Sequence, residues 1–408
     1  MEAPAAPASG VTEDELVSIE RAVRAAEPAF LADLERLVGI DCGSYTPEGV
    51  DEVGRFVAGF LGDIGAVVTI HPDPAGRLGS TVIGRLPGSD AAGPAILLIG
   101  HMDTVFDPGT AAERPLRVDG GRAYGPGVTD MKSGLLTGLY GMKALADAGE
   151  LPFASLAFVA NPDEEIGSPS STPHITALAA DIDVCFVLEC ARANGDIVSA
   201  RKGTLDLVAT VRGRAAHAGV EPEKGRSAIL EAARLIKDLH GLNGRWPGVT
   251  VNVGVVGGGT RPNVVAERCV LEIDVRATDI PAQDEAEAAI RELAAATGVP
   301  DTTIEIDRRA RHRPMQKLER SGRLVDHAVA IAARLGFPLK DTATGGASDA
   351  NTTSGLGVPT IDGLGPIGGN DHSPAEYLDV DSIVPRTALF AGLLLATGRD
   401  PVIRAWRD

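Results

Sequence analysis

Three short runs of almost unbroken apolar residues limit what this chain can fold into: AILLI at 95–99, ASLAFVA at 154–160 and DVCFVL at 183–188. Runs of this length without polar alternation suit strands buried on both faces, as in a parallel sheet covered by helices. Helical periodicity occupies 13–38, 51–64 and 131–148, before and between the runs. Strands alternating with helices in this way predict an α/β domain with a mostly parallel sheet.

The pattern changes near residue 203. Strands are expected at 204–212, 249–256, 268–277 and 302–307, with helices at 227–242 and 284–297. That order, β-α-β-β-α-β, is the ferredoxin-like arrangement. Beyond 315 the first pattern resumes, with a helix at 323–335, a short strand at 358–362 and a last helix at 381–397. The expected architecture is α/β: a discontinuous, mostly parallel-sheet domain at 1–202 and 313–408, interrupted by a smaller ferredoxin-like domain at 203–312. The first twelve residues, rich in Ala and Pro, read as a loose tail.

With 38 Lys and Arg against 56 Asp and Glu, the formal net charge is −18. This opposes nucleic acid or an anionic membrane as partner, since both demand clustered positive charge. The N-terminus has neither the basic start nor the apolar core of a signal peptide. No uninterrupted apolar stretch has the length of a transmembrane helix. Cys42, Cys185, Cys190 and Cys269 form no C-x-x-C motif, so they read as buried thiols of a cytoplasmic protein.

The residues just beyond the apolar runs carry the chemistry. His101 and Asp103 come after the first, Glu164 and Glu165 after the second, and Glu189 after the third. The strand at 358–362 leads into His372, and Asp130 stands just before a helix. Ligands of open α/β sheets bind beyond the carboxyl ends of the strands. Any one of these residues has a structural explanation, and Thr129 or Asp130 would serve as a helix N-cap. Together they bring two imidazoles and several carboxylates to one edge. Such a set can hold two divalent ions if one carboxylate, best Asp130, bridges them; zinc suits it, with cobalt or manganese as alternatives. One member of the Glu164–Glu165 pair can then bind metal while the other serves as general base. Asp103 is placed to accept the second N–H of His101 and fix its ring.

These segments resemble the co-catalytic di-zinc metallopeptidases, the family of glutamate carboxypeptidases, aminoacylases and succinyl-diaminopimelate desuccinylases. The resemblance rests on GHMDTV (100–105), GPGVTDMKSG (125–134), NPDEEIGS (161–168), VLE (187–189), GRAAHAGVEPEKGRSA (213–228), RPNVVAERCVLEIDVR (261–276), GGASDAN (345–351) and NDHSPAEY (370–377). The bacterial glutamate carboxypeptidase branch is the most similar. The resemblance implies one zinc on His101, Asp130 and Glu189, a second on Asp130, Glu165 and His372, and Glu164 as general base. It further implies a cis peptide at Asp130–Met131 and a homodimer formed through the inserted domain.

On the substrate side, the resemblance makes His217 an oxyanion donor and Asn263 a partner of the substrate amide. Arg276 becomes the fork for a free carboxylate, approached also by the backbone of Gly345 and Gly346. Without it, His217 and Asn263 read as turn residues, and Arg276 as half of a cross-strand ion pair with the acids on its face. Arg201 and Lys202 are weaker candidates for a side-chain carboxylate. His71, His174, His240, His312 and His327 belong to no motif and read as surface or structural. The G-x-G-x-x-G at 363–368 comes after a strand but precedes a loop instead of a helix, so it fails as a dinucleotide site. The expected activity is zinc-dependent release of a C-terminal, glutamate-like amino acid from a peptide or N-acyl conjugate. An N-acyl-amino-acid deacylase or desuccinylase is the alternative, and a non-catalytic binding protein a more distant one.

Overall fold

The computed structural model describes residues 10–407. It divides into two compact units: one holds the chain up to Ala200 with Lys317–Ala343 and Ser348 onward, the other Arg201–Gln316 with Thr344–Ala347. Of the expected tail, 1–9 lie outside the described residues, and the remainder is anchored. Val11 is buried and its carbonyl accepts Arg334 at 2.7 Å. Thr12 caps helix Glu13–Val38 in a reciprocal box, its hydroxyl accepting Glu15 N–H while the Glu15 carboxylate accepts Thr12 N–H at 2.7 Å.

Across the main sheet of the first unit the strands run Val67–His71, Thr81–Pro87, Ser155–Asn161, Ala95–His101, Val184–Val187 and Thr360–Ile361. The last four are mutually parallel. The first two, absent from the sequence reading, add an antiparallel margin. Leu98, Phe158 and Phe186 are fully buried, as strands covered on both faces require. Each contributes on the order of 1.5–3 kcal/mol by leaving water. The long helix Ile383–Arg399 is buried almost throughout. Val380–Arg399 is long and apolar enough to cross a bilayer, but its burial in the fold makes it a core helix.

Several helix starts depart from expectation. The second helix begins at Pro47, where a proline at the first helical position needs no N–H partner. The helix expected from Met131 begins at Ser133, because Asp130 and Met131 have non-helical backbone and the peptide between them is cis. Asp130 is therefore not an N-cap. Gly134, in the first turn of that helix, passes so close to the strand Val184–Val187 that a Cβ there would lie 1.9 Å from Leu188 O.

The second unit has the element order strand Gly203–Arg212, helix Ala228–His240, strands Thr250–Gly258 and Arg268–Ala277, helix Ile280–Ala295 and strand Thr303–His312. Its sheet is antiparallel, ordered Thr250–Gly258, Arg268–Ala277, Gly203–Arg212, Thr303–His312. Leu205, Leu207, Leu271 and Ile273 pack against Leu235 and Ile290 of the helices. The second helix starts earlier than expected, at Ile280, where Asp279 caps Ala282 N–H at 2.9 Å and Pro281 begins the turn.

Candidate metal centre

Because the four parallel strands run the same way, their carboxyl ends and the loops that leave them gather at one edge. His101 is the last residue of Ala95–His101 and lies in register with Asn161, the last of Ser155–Asn161. Glu164 and Glu165 sit shortly after Asn161 in a 3-10 helix, Glu164–Ile166. Glu189 stands just past the end of Val184–Val187. His372 comes from further away, in the hairpin between Gly368–Gly369 and Tyr377–Asp379. Tyr377–Asp379 also pairs with Arg122–Tyr124, just upstream of Asp130. This small antiparallel sheet joins the segment bearing Asp130 to the segment bearing His372. Its crossing is tight: a Cβ on Gly368 would lie 2.0 Å from Thr129 Oγ1.

Asp130 stands between the two imidazoles. One of its carboxylate oxygens is 3.0 Å from His101 Nε2 and the other 3.1 Å from His372 Nε2. Glu189 lies 3.6 Å from His101 Nε2, and Glu165 lies 3.1 Å from His372 Nε2. All five sequence-predicted ligands are thus together. Donor atoms bonded at about 2.0–2.1 Å to a tetrahedral ion lie about 3.3 Å apart, which is close to the spacing found. The donor set of imidazole and carboxylate fits zinc, and it also fits cobalt or manganese. Ligand atoms of His101, Asp130 and Glu165 form one group within 4.8 Å of one another, and those of His101, Glu164 and Glu189 form a second. Glu164 is therefore at the centre as well. Unlike Glu165 and Glu189, it makes no ion pair with an imidazole among the described residues.

The electrostatics reflect the crowding of acids. Burial opposes protonation of His101, but Glu189, Asp103 and Asp130 override it and hold the ring well above its usual value. Hydrogen bonds to Asp130 and Glu165 push His372 up to about 11. Asp130 is held low by the two imidazoles despite its burial. Glu164 goes the other way: burial raises it well above the ordinary carboxylate range, with Glu189, Asp349 and Glu165 adding to the rise. Glu165 is also raised by burial. The pocket strongly favours positive charge, which two divalent cations would supply.

Asp103 is buried behind this layer. His101 Nδ1 is 3.0 Å from its backbone oxygen and 3.3 Å from its carboxylate, as expected of a group that orients the ring. The same carboxylate accepts Ser44 Oγ at 2.6 Å and the backbone N–H of Glu164 and Glu165 at 3.1 and 3.2 Å. Two other groups escaped the sequence reading. Glu376 accepts backbone N–H groups of Gly127, Thr129 and Asp130. Asp349 is buried against Asn161 and Ser168, and burial pushes it up to about 6. Both lie inside quoted motifs, NDHSPAEY and GGASDAN, but their partners are distant in sequence.

The remaining predicted residues belong to the second unit. His217 is exposed, and its Nδ1 accepts Gly219 N–H at 3.2 Å. That bond places the proton of the neutral ring on Nε2. Asn263 is exposed in a turn, its backbone oxygen accepting Ala218 N–H at 3.0 Å. Arg276 pairs through Nε with Asp274, at 2.9 and 3.1 Å. The ion pair lies within one strand and does not cross to a neighbour. Gly345 and Gly346 are exposed, and Gly346 O accepts the largely buried Arg201 at 3.2 Å. His327, in the first unit, is fully buried against Asp400, a structural role.

Comparison with known proteins gives a consistent picture. The sequence pattern of peptidase family M20/M25/M40 matches residues 97–396. Carboxypeptidase G2 of Pseudomonas sp. (strain RS-16) is 31% identical over 376 residues, 91% of this chain and 90% of that one. Succinyl-diaminopimelate desuccinylase of Dechloromonas aromatica (strain RCB) is 27% identical over 319 residues, covering 74% and 83%. Among solved structures, aminopeptidase PepT from Bacillus cereus ATCC 10987 superposes with a TM-score of 0.75 at 22% identity, covering 91% of this chain and 99% of that one. The M20 family metallo-carboxypeptidase Sso-CP2 from Sulfolobus solfataricus gives 0.70 at 16% identity, covering 90% and 99%. At these identities the structural matches speak for the fold.

Proposed function

The chain belongs to peptidase family M20/M25/M40, and from that premise we propose that it is a di-zinc hydrolase of amide bonds that releases a C-terminal, glutamate-like amino acid from a peptide or N-acyl conjugate. One observation carries the two-metal reading: the two oxygens of Asp130 face His101 and His372 at 3.0 and 3.1 Å, with a further carboxylate beside each imidazole. His101, Asp130 and Glu189 would hold one ion, and Asp130, Glu165 and His372 the other. Zinc ions bound there would polarise the scissile carbonyl and acidify the attacking water.

The chain's own groups then divide the work. Glu164 takes the proton of the water as its oxygen bonds to the carbonyl carbon, and gives that proton to the departing amine nitrogen as the C–N bond breaks. Its burial and the neighbouring acids raise its proton affinity, which suits a group that must hold and then return a proton. Asp103 keeps the ring of His101 and the main chain of Glu164 in place. His217 offers Nε2–H to the developing oxyanion. The pair between Arg276 and Asp274 engages Nε, which leaves the Nη edge to face a substrate carboxylate. Asn263 and the backbone of Gly345 and Gly346 complete the substrate side.

The order of elements and strands in the second unit supports a ferredoxin-like reading. Its marginal strand Thr250–Gly258, with Val255 and Val256 exposed, supports a homodimer formed through it. Four buried, unpaired cysteines favour a reducing, cytoplasmic setting. The similarity to a desuccinylase keeps a second reading, N-acyl-amino-acid deacylation, for the same centre. A panel of N-acyl and peptidyl conjugates differing only in the leaving amino acid, assayed with zinc, separates the two. Turnover governed by a leaving glutamate supports the carboxypeptidase; turnover indifferent to the leaving residue supports the deacylase.

A further inference from the structure

Glu376 is only 1% exposed, and among the described residues no Lys, Arg or His pairs with it. Its partners are three main-chain donors. One carboxylate oxygen accepts Gly127 N–H at 2.9 Å; the other accepts Thr129 N–H at 2.9 Å and Asp130 N–H at 3.1 Å. A buried carboxylate without a counter-ion is costly, and converging N–H groups are the usual compensation. Here those groups belong to the turn that presents Asp130. Glu376 itself stands four residues after His372 in the same hairpin, so its side chain ties the loop of one imidazole to the backbone of the carboxylate that imidazole faces.

We propose that Glu376 is a positioning residue that sets the spacing between Asp130 and His372 and thereby the affinity of the centre for its second metal ion. The inference rests on the two-metal reading of the centre. It requires acceptors on both carboxylate oxygens. A glutamine has one acceptor oxygen and one amino group, so one of the three N–H groups would face another donor. Glu376→Gln thus keeps the size of the residue and breaks the tie. The side chain of Glu376 bonds to the main chain around Asp130, so its influence passes through Asp130 and His372.

The test compares the full-length wild-type chain with Glu376→Gln. Each is stripped of metal and titrated with Zn²⁺ against a chromophoric chelator, and with Co²⁺ monitored by its visible absorption. Melting temperatures are recorded with and without metal. The expected result is about a tenfold or greater loss of affinity for one of two equivalents, as for other groups that orient ligands. The rise in melting temperature on adding metal should shrink accordingly. In a His372→Ala background, where the second ion has lost a ligand, the same substitution should cost that ion much less affinity than in the wild type. Two equivalents bound with wild-type affinity, whatever the metal-free melting temperature, would make Glu376 a merely structural residue and overturn the proposal. If Glu376→Gln does not fold, Glu376→Asp, which withdraws both acceptors by one methylene, carries the same expectation. A wild-type chain that binds fewer than two equivalents removes the two-metal reading and this inference together, whereas two tight equivalents in both proteins remove only the inference.

Discussion

The carboxylate of Asp103 accepts the backbone N–H of Glu164 at 3.1 Å, so the group that orients the first imidazole also anchors the turn carrying the proposed base. Asp103→Asn keeps the shape but places an amino group where one of the N–H donors of Glu164 or Glu165 now points. Metal affinity should fall by about 10–100-fold. The turnover number at saturating metal should fall as well, because Glu164 is displaced. Chelator competition and steady-state kinetics measure the two losses separately. A loss of affinity alone would mean that the anchoring of Glu164 is unimportant.

Glu164→Gln should retain two zinc ions per chain, measured by elemental analysis, and lower kcat by about 10²–10⁴-fold. In the proposed ligand set its carboxylate holds no metal, whereas the proposed proton transfer depends on it. Near-normal turnover would pass the role of base to another group.

Removing metal should abolish hydrolysis and lower the melting temperature, since ions that bind only the folded chain stabilise it by mass action. Adding back zinc or cobalt should restore both. Activity indifferent to exhaustive chelation would end the metal reading.

Arg276→Ala should raise KM for carboxylate-bearing substrates by about tenfold or more, because charge-assisted hydrogen bonds contribute about 1.5–3 kcal/mol. A decarboxylated analogue should be affected little. If KM does not change, Arg276 serves only Asp274.

Asp400 gives a pH prediction away from the centre. Burial opposes its ionisation, but hydrogen bonds from Arg323 and His327 prevail and hold it below the usual carboxylate value. A folded pKa below the unfolded one contributes stability that is present above about pH 4 and lost as pH falls through the folded value. Asp400→Asn should therefore destabilise the protein at pH 7, and the gap from wild type should narrow below about pH 4. Urea denaturation at both pH values tests it. A gap that stays constant on acidification would mean that Asp400 acts through packing.

The five proposed ligands were legible because each lies just past an apolar run or within a recognisable motif, and parallel strands deliver their ends to one edge. Glu376 was not, since its partners are backbone groups 246 to 249 residues earlier, which side-chain pattern does not encode. The strands Val67–His71 and Thr81–Pro87 escaped for a different reason. The first is exposed along most of its length, and the second contains Gly84 and ends on Pro87, so neither carries a buried-strand signature. The start of the helix after Asp130 was misplaced because helical periodicity continues through Met131, while the backbone there turns to present Asp130.

The first unit is assembled from chain on both sides of the second, and this fixes an order in time. His101, Asp130, Glu165 and Glu189 all leave the ribosome before the second unit is made; His372 leaves after it. A nascent chain, or one cut short near its end, can offer four of the five groups but not the pair that Asp130 makes with His372. If the centre takes two ions as proposed, full loading would report that synthesis has passed the hairpin at Gly368–Gly369 and that its pairing with Arg122–Tyr124 has formed.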